Sequence, residues 1–231
     1  MVQVTLTRSE ANAVLRDARD FFSSFGNFLP PQALWSVEEW LEHKNAMEPA
    51  IRGGCGWDIF KPAPDYAKEG LTLYTLTNGY PGSYQVYAEK LLMSIPGQVC
   101  PMHYHAIKQE DIICAGGSNM HIELYRAENE KQLSDKPVEV VINGGLRTVK
   151  AGEELALKPG ERITLAKRMF HRFWADPNGA GPSFIREVSM VNDDATDNYF
   201  LGEIGRFADV IEDEPILWPL CTDYKKLGIA F

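Results

Sequence analysis

The chain is poor in the features that mark several large protein classes. Its four cysteines, Cys55, Cys100, Cys114 and Cys221, form no CxxC pair. They are sparse for a chain of this size, and free, partly buried thiols are the expectation. No stretch approaches the ~18 uninterrupted apolar residues of a membrane span. The opening residues, MVQVTLTRSEANAVL, carry no apolar core behind a basic region, so no targeting leader is expected, and the cytoplasm is the expected compartment. No Lys/Arg-rich run offsets a net charge of -9. A nucleic-acid partner, which needs a basic face for the phosphates, is therefore not expected, nor is a membrane partner. The acidic balance also repels anions at long range and favours a neutral or cationic ligand. Repeats, low-complexity tracts and flexible linkers are missing as well.

What is present is an ordinary globular composition, with 45% hydrophobic and 11% aromatic residues in 231, enough for a large core. One domain over residues 1–231 is expected. It divides into a helical N-terminal extension (1–50), a barrel (70–200) and a C-terminal segment (201–231). Val14, Leu15, Ala18, Phe21, Phe22 and Phe25 recur at helical spacing after Ser9, and Gly26 sits where a left-handed cap ends a helix. Ser36-Val37-Glu38-Glu39 has the form of a capping box, predicting a second helix over about 37–47. From Leu71 the pattern changes to short Val-, Ile-, Leu-, Thr- and Tyr-rich stretches separated by Gly, Pro, Asn and Asp, at 71–77, 84–95, 119–125, 138–142, 162–166 and 183–191. These read as strands of a mainly β jelly-roll barrel lined by every second side chain, with two α-helices in front. The acidic run Ile211–Pro215 reads as a surface loop.

Only five histidines are available, and two stand two residues apart in GQVCPMHYHAIKQEDIICAGG (97–117). On a strand, His103 and His105 point to one face while Tyr104 points away. A turn at 106–109, taken as a hairpin, returns Glu110 to the same place. Two imidazoles and a carboxylate suit a divalent transition ion such as Mn, Fe, Co, Ni or Zn, although such a trio also occurs on exposed hairpins. His171, in RMFHRFWA, is the fourth candidate; taken alone, a His between Phe170 and Phe173 reads as a core residue.

These residues resemble the cupin superfamily. Gly97, His103, His105, Glu110 and Gly117 fall at the spacings of its first motif. Gly160 and His171 match the second, in which Ala166, Arg168 and Ala175 replace the usual Pro, Gly and Asn. Over most of its length the chain further resembles the D-lyxose isomerase family of cupin-fold sugar isomerases. The stretches that carry this are FFSSFGNFLPP, GLTLYTLTNG, YAEKLLMS, HYHAIKQEDI and EVSMVNDDATDNYFL. The resemblance implies His103, His105, Glu110 and His171 as metal ligands and Mn as the habitual ion. It implies interconversion of D-lyxose with D-xylulose, usually of D-mannose with D-fructose too, and a homodimer. The substrate would be a monosaccharide.

Such a reaction moves a proton between C2 and C1, and the metal stabilises the charge on the sugar oxygens. Four protein ligands on an octahedral ion leave two adjacent positions for those oxygens. Glu187, alternating with Ile185 and Ser189, is the expected base; Asp193 and Asp194 are its rivals, and a solvated edge-strand Glu is the bland alternative. Lys90, beside Ala88 and Leu92 in alternation, either contacts the sugar or reaches to solvent. Lys108 reads by position as a solvated loop charge, which the resemblance turns into a substrate contact. His121 and His43 lie outside both motifs and read as packing or surface residues. Residues 193–197 lack the Gly and Glu of a calcium loop and are not read as one. A sugar-phosphate isomerase, an Fe(II) dioxygenase and a non-enzymatic sugar-binding cupin remain as alternatives.

Overall fold

The computed structural model describes residues 4–193, 196–202 and 208–230. The N-terminal residues form α1 (Arg8–Ser24), which Thr7, not Ser9, caps: its hydroxyl accepts from Glu10 N–H while the Glu10 carboxylate accepts from Thr7 N–H. The second helix, α2 (Val37–His43), starts at the expected Ser36–Glu39 box. It stops earlier than its pattern suggested, and a short α3 (Glu48–Arg52) follows, with Pro49 in its first turn where a proline costs no hydrogen bond.

The β half is a jelly roll of two facing sheets. The larger sheet runs in the order Gly145–Val149, Val138–Ile142, Arg162–Leu165, Glu110–Gly117, Ser183–Met190, Tyr87–Ser94, Leu71–Thr77, Gly56–Phe60. The smaller runs Glu154–Leu157, Met120–Asn129, Met169–Ala175, Val99–His105, Asn198–Phe200, with Gln132–Ser134 beside Met120–Asn129. The strands bearing His105 and Glu110 therefore belong to different sheets. Residues 106–109 do not close a hairpin, as the sequence suggested; they carry the chain across the barrel mouth, and Glu110 reaches the histidines from the opposite wall.

One end of the larger sheet is buried on both faces. Inward, Leu92, Ile112, Cys114 and Ile185 meet Ile122, Leu124 and Phe173 of the smaller sheet. Outward, Leu91, Met93, Phe184, Trp57 and Ile59 are covered by Leu15, Ala18 and Phe22 of α1 and by Trp218. This is why YAEKLLMS reads as nearly continuous burial where a half-exposed strand would alternate. The C-terminal acidic run is a surface segment, as expected, and also docks the helix. Arg8, fully buried, donates through Nε and Nη2 to Glu212 (2.8 Å each) and through Nη1 and Nη2 to Asp223 (2.9 and 3.0 Å). Asp213 accepts from Ser9 N–H and Oγ–H at the helix start, where the unpaired N–H groups and the dipole favour an anion. All four cysteines are free thiols. No described helix is long and apolar enough to cross a membrane.

Candidate metal centre and active site

Strand pairing brings the histidines together. His171 and His103 are register partners on adjacent antiparallel strands, and their ring centroids lie 4.2 Å apart. His105, two residues along, faces the same interior. The ligand-type nitrogens of His103, His105 and His171 lie within 4.8 Å of one another, and all three residues are buried. The turn before His171 forms despite its altered residues: Arg168 takes the left-handed conformation (φ 60) at the position where the cupin motif has glycine. Its N–H donates to His105 O (2.8 Å) and its guanidinium lies over the Tyr104 ring, contacts that offset a steric cost of about 1–2 kcal/mol. Gly117, at the other end of the first motif, has φ +74, and a Cβ there would come within 2.2 Å of Pro182 O. Only glycine fits.

The tautomers follow from the neighbours. His103 Nδ1 lies 2.7 Å from Pro101 O and His171 Nδ1 3.0 Å from Met169 O. A carbonyl oxygen only accepts, so each Nδ1 carries the hydrogen and each Nε2 presents a bare lone pair. Glu110 Oε1 stands 3.4 Å from His105 Nε2 and 3.3 Å from His171 Nε2. Among the described residues, His171 Nε2 is buried without a hydrogen-bond partner. Burial, with the neighbouring imidazoles, holds His103 well below the ordinary histidine pKa; burial lowers His105 as well, against the pull of Glu110. Neutral imidazoles whose lone pairs converge on a carboxylate repel one another unless a cation lies between them. The donor set fits a divalent ion.

Beside this group lies a second, ionic one. Lys108 Nζ is 2.8 Å from Glu110 Oε2 and 2.6 Å from Glu187 Oε1, and Lys90 Nζ is 3.3 Å from Glu187 Oε1. Ser189 Oγ donates to the same Glu187 oxygen at 3.1 Å. Burial alone would protonate both glutamates, but Lys108, joined at Glu187 by Lys90, outweighs it and keeps both below the usual carboxylate range. Lys90 is lowered by burial, whereas at Lys108 the two carboxylates overcome burial and raise the pKa. Glu187 is not on a solvated edge strand; Ser183–Met190 is flanked on both sides, and the side chain is buried. Lys90 faces the interior, not solvent, and Lys108 is not a solvated loop charge, being 2% exposed. The agent of that burial is Asp197, whose carboxylate accepts from the N–H groups of Ile107 (2.5 Å) and Lys108 (3.1 Å) and so folds the crossing inward.

The structure does not bring every candidate here. Asp193 is exposed, caps a turn with Thr196 (2.7 Å) and lines a neighbouring cavity. Asp194 lies outside the described residues. His121 pairs with Glu154 (2.6 Å) and stacks on Trp174, and His43 is exposed beside Trp35. Sequence reading missed the rest of the pocket wall. Phe60 and Phe200 stack on one another at 5.5 Å, Phe200 covers His103, and Asp58, Leu71, Leu73, Cys100, Phe173 and Asn198 also line the pocket. The alternation of GWDIF puts Asp58 and Phe60 on one face, the one signal that could have found them. Nothing local marks Phe200.

Comparison with known proteins bears on this site. The family model for D-lyxose isomerase matches residues 6–224. A D-lyxose/D-mannose isomerase of Serratia proteamaculans is 39% identical over 223 residues, covering 94% of this chain and 97% of that protein. One from Escherichia coli O157:H7 is 39% identical over 226 residues, covering 96% and 99%. Among solved structures, the L-ribose isomerase of Cellulomonas parahominis superposes with a TM-score of 0.59 at 16% identity, over 91% of this chain and 100% of that one. At that identity the likeness shows the fold alone.

Proposed function

The chain belongs to the D-lyxose isomerase family of aldose–ketose isomerases, and on that premise we propose that it interconverts D-lyxose with D-xylulose, and D-mannose with D-fructose, through an enediolate. The observation that carries this is the meeting, in one barrel mouth, of three buried imidazoles and a carboxylate with the buried cluster Lys90, Lys108, Glu187. His103, His105, Glu110 and His171 would hold the ion, Mn by preference. Bound there, it would polarise the substrate carbonyl and offset negative charge on the sugar oxygens.

The chain's own groups supply the proton transfers. Glu187 takes the proton from C2 and returns it to C1, while the hydroxyl proton passes from O2 to O1. Paired with two lysines, Glu187 is a weak base. Substrate oxygens that draw the ammonium groups of Lys108 and Lys90 toward themselves relieve that pairing, so the base strengthens when the substrate is in place. The same ammonium groups then face the enediolate oxygens, where positive charge is worth most in a water-poor site. The phenylalanine wall keeps solvent from the reacting carbons. A sugar phosphate fits poorly: among the described lining residues no arginine is present, and both lysines are engaged by carboxylates. The test is an anaerobic assay of Mn-loaded protein with D-lyxose, D-mannose and a hexose phosphate. Ketose should form from the free sugars without oxygen. Turnover of the phosphate alone, or a requirement for oxygen, would overturn the proposal.

A further inference from the structure

The lysine at the centre of the site stands on a piece of chain that belongs to neither sheet. Residues 106–109 cross from Val99–His105 to Glu110–Gly117, and two of their side chains stand against their own preferences: Ile107 is 57% exposed while Lys108, beside it, is 2% exposed. A shift of one position along the crossing would bring the isoleucine in and return the ammonium group to water. Apolar burial and the cost of desolvating a charge both favour that shifted arrangement. Something else holds the crossing as it is.

Asp197 does so. Three successive N–H groups of the crossing donate to this one residue: Ala106 to its backbone O (3.3 Å), Ile107 to Oδ1 (2.5 Å) and Lys108 to Oδ2 (3.1 Å). Two adjacent N–H groups that each need a side-chain acceptor call for two acceptor atoms; a carboxylate has them, whereas an amide or a hydroxyl offers one oxygen. Asp197 is 1% exposed, a burial that would be costly for a carboxylate without those donors. Its own backbone is fixed on both sides. The Asp197 N–H donates to Asp193 O (2.9 Å), and Asn198, next in the chain, is the register partner of His105. The far end of the crossing is tied to the larger sheet, where Met190 N–H donates to Gln109 O (3.0 Å). From a backbone held in this way, Lys108 Nζ reaches Glu187 Oε1 at 2.6 Å and Glu110 Oε2 at 2.8 Å.

We infer that Asp197 is a positioning residue for the isomerisation: by holding the N–H groups of Ile107 and Lys108 on its two carboxylate oxygens, it sets the Lys108 ammonium group between Glu110 and Glu187, in reach of the substrate oxygens. The inference rests on the isomerase reading. Asp197 acts through Lys108, so its signature is coupling between the two residues. The test measures kcat and KM for D-lyxose with Mn-loaded wild type, Asp197→Asn, Lys108→Met and the double variant. Asparagine keeps one acceptor oxygen and turns an NH2 group toward the second N–H. Asp197→Asn should lower kcat by about 10- to 100-fold, the scale of a misplacement of about 1 Å, with KM changed less than about 3-fold and metal content per chain unchanged. In the Lys108→Met background the same substitution should change kcat by less than about 2-fold. Hydrogen exchange reads the clamp without activity: the Ile107 and Lys108 amides should exchange at least about 10-fold faster in Asp197→Asn, with the sheet amides unchanged. If Asp197→Asn does not fold, Asp197→Ser, smaller and with one acceptor oxygen, takes its place with the same expectations. Wild-type kcat in a folded variant, an equal loss in both backgrounds, or unchanged exchange at Ile107 and Lys108 overturns the inference and leaves the isomerase reading standing. Wild type inactive on every aldose would remove both.

Discussion

Two clusters in this protein each hold two cations and two carboxylates, and they have opposite characters. In the first, outside the barrel, Arg8 and Lys226 meet Glu212 and Asp223. In the second, inside it, Lys90 and Lys108 meet Glu110 and Glu187. The Arg8 guanidinium uses both forks, one on each carboxylate, with four hydrogen bonds of 2.8–3.0 Å. The barrel cluster is incomplete: beside it, His171 Nε2 is buried without a hydrogen-bond partner among the described residues, and Glu110 Oε1 stands 3.3 and 3.4 Å from the Nε2 atoms of His171 and His105. A completed ionic cluster ties chain segments together; an incomplete one waits for a ligand. The difference predicts that substitutions in the barrel cost activity and substitutions in the clasp cost stability.

The largest effect tests the incomplete cluster. His171→Ala should cost most of the bound metal and lower kcat/KM for D-lyxose by about 1000-fold or more, with the thermal midpoint of the metal-free protein little changed. Metal content per chain and steady-state kinetics measure this. Retained activity after chelation would remove the distinction between the clusters. Next is Glu187→Gln, which keeps the ligands and should keep the metal while kcat falls at least about 100-fold. Retention of wild-type kcat would pass the role of base to another carboxylate.

Arg8→Ala sharpens the comparison from the other side. It strands Asp223, 2% exposed, without its bidentate partner and should destabilise the fold by about 3–5 kcal/mol, the cost of breaking a buried pair. The thermal midpoint should drop by about 10 °C in a chain of this size, with unchanged specific activity of the folded protein at low temperature. Lost activity in a fully folded variant would mean that the two clusters are coupled.

How much of this was legible depended on whether the signal was periodic or topological. The i, i+2 spacing of His103 and His105 states their common face outright, and the Ser36–Glu39 box states a helix start, because both rest on local geometry. Glu110 was placed correctly for the wrong reason: a short crossing between two sheets has the same sequence signature as a hairpin. Lys108 was misjudged because a loop lysine is ordinarily solvated. What buries it is Asp197, some ninety positions away, accepting from its backbone N–H, a contact no spacing rule contains. The resemblance, not the residue pattern, led to Lys108. Arg8 shows the same limit. As the first residue of a helix it reads as a solvated cation, and its burial depends on where residues 212 and 223 return.

The smallest effect separates the clusters by pH. The hydrogen bond from Arg8, with support from Lys226, lowers Glu212 to about 2, against an ordinary glutamate value of about 4.3. A folded-state value below the unfolded one contributes stability that is complete above the unfolded pKa and disappears as pH falls through the folded pKa. The contribution of Glu212 is therefore full at neutral pH and is lost between about pH 4.3 and 2. Glu110 and Glu187 are lowered too, so total acid stability would mix the clusters. The informative quantity is the difference between wild type and Glu212→Gln, measured by denaturant unfolding at a series of pH values. That difference should be constant above pH 5 or so and shrink toward zero as pH nears 2. Because the Glu212 side chain is 44% exposed, solvent screens it, and added salt should shrink the gap further at every pH. A gap that persists unchanged at pH 2 would mean that Glu212 acts through packing, and the clasp would then be held by Asp223 alone.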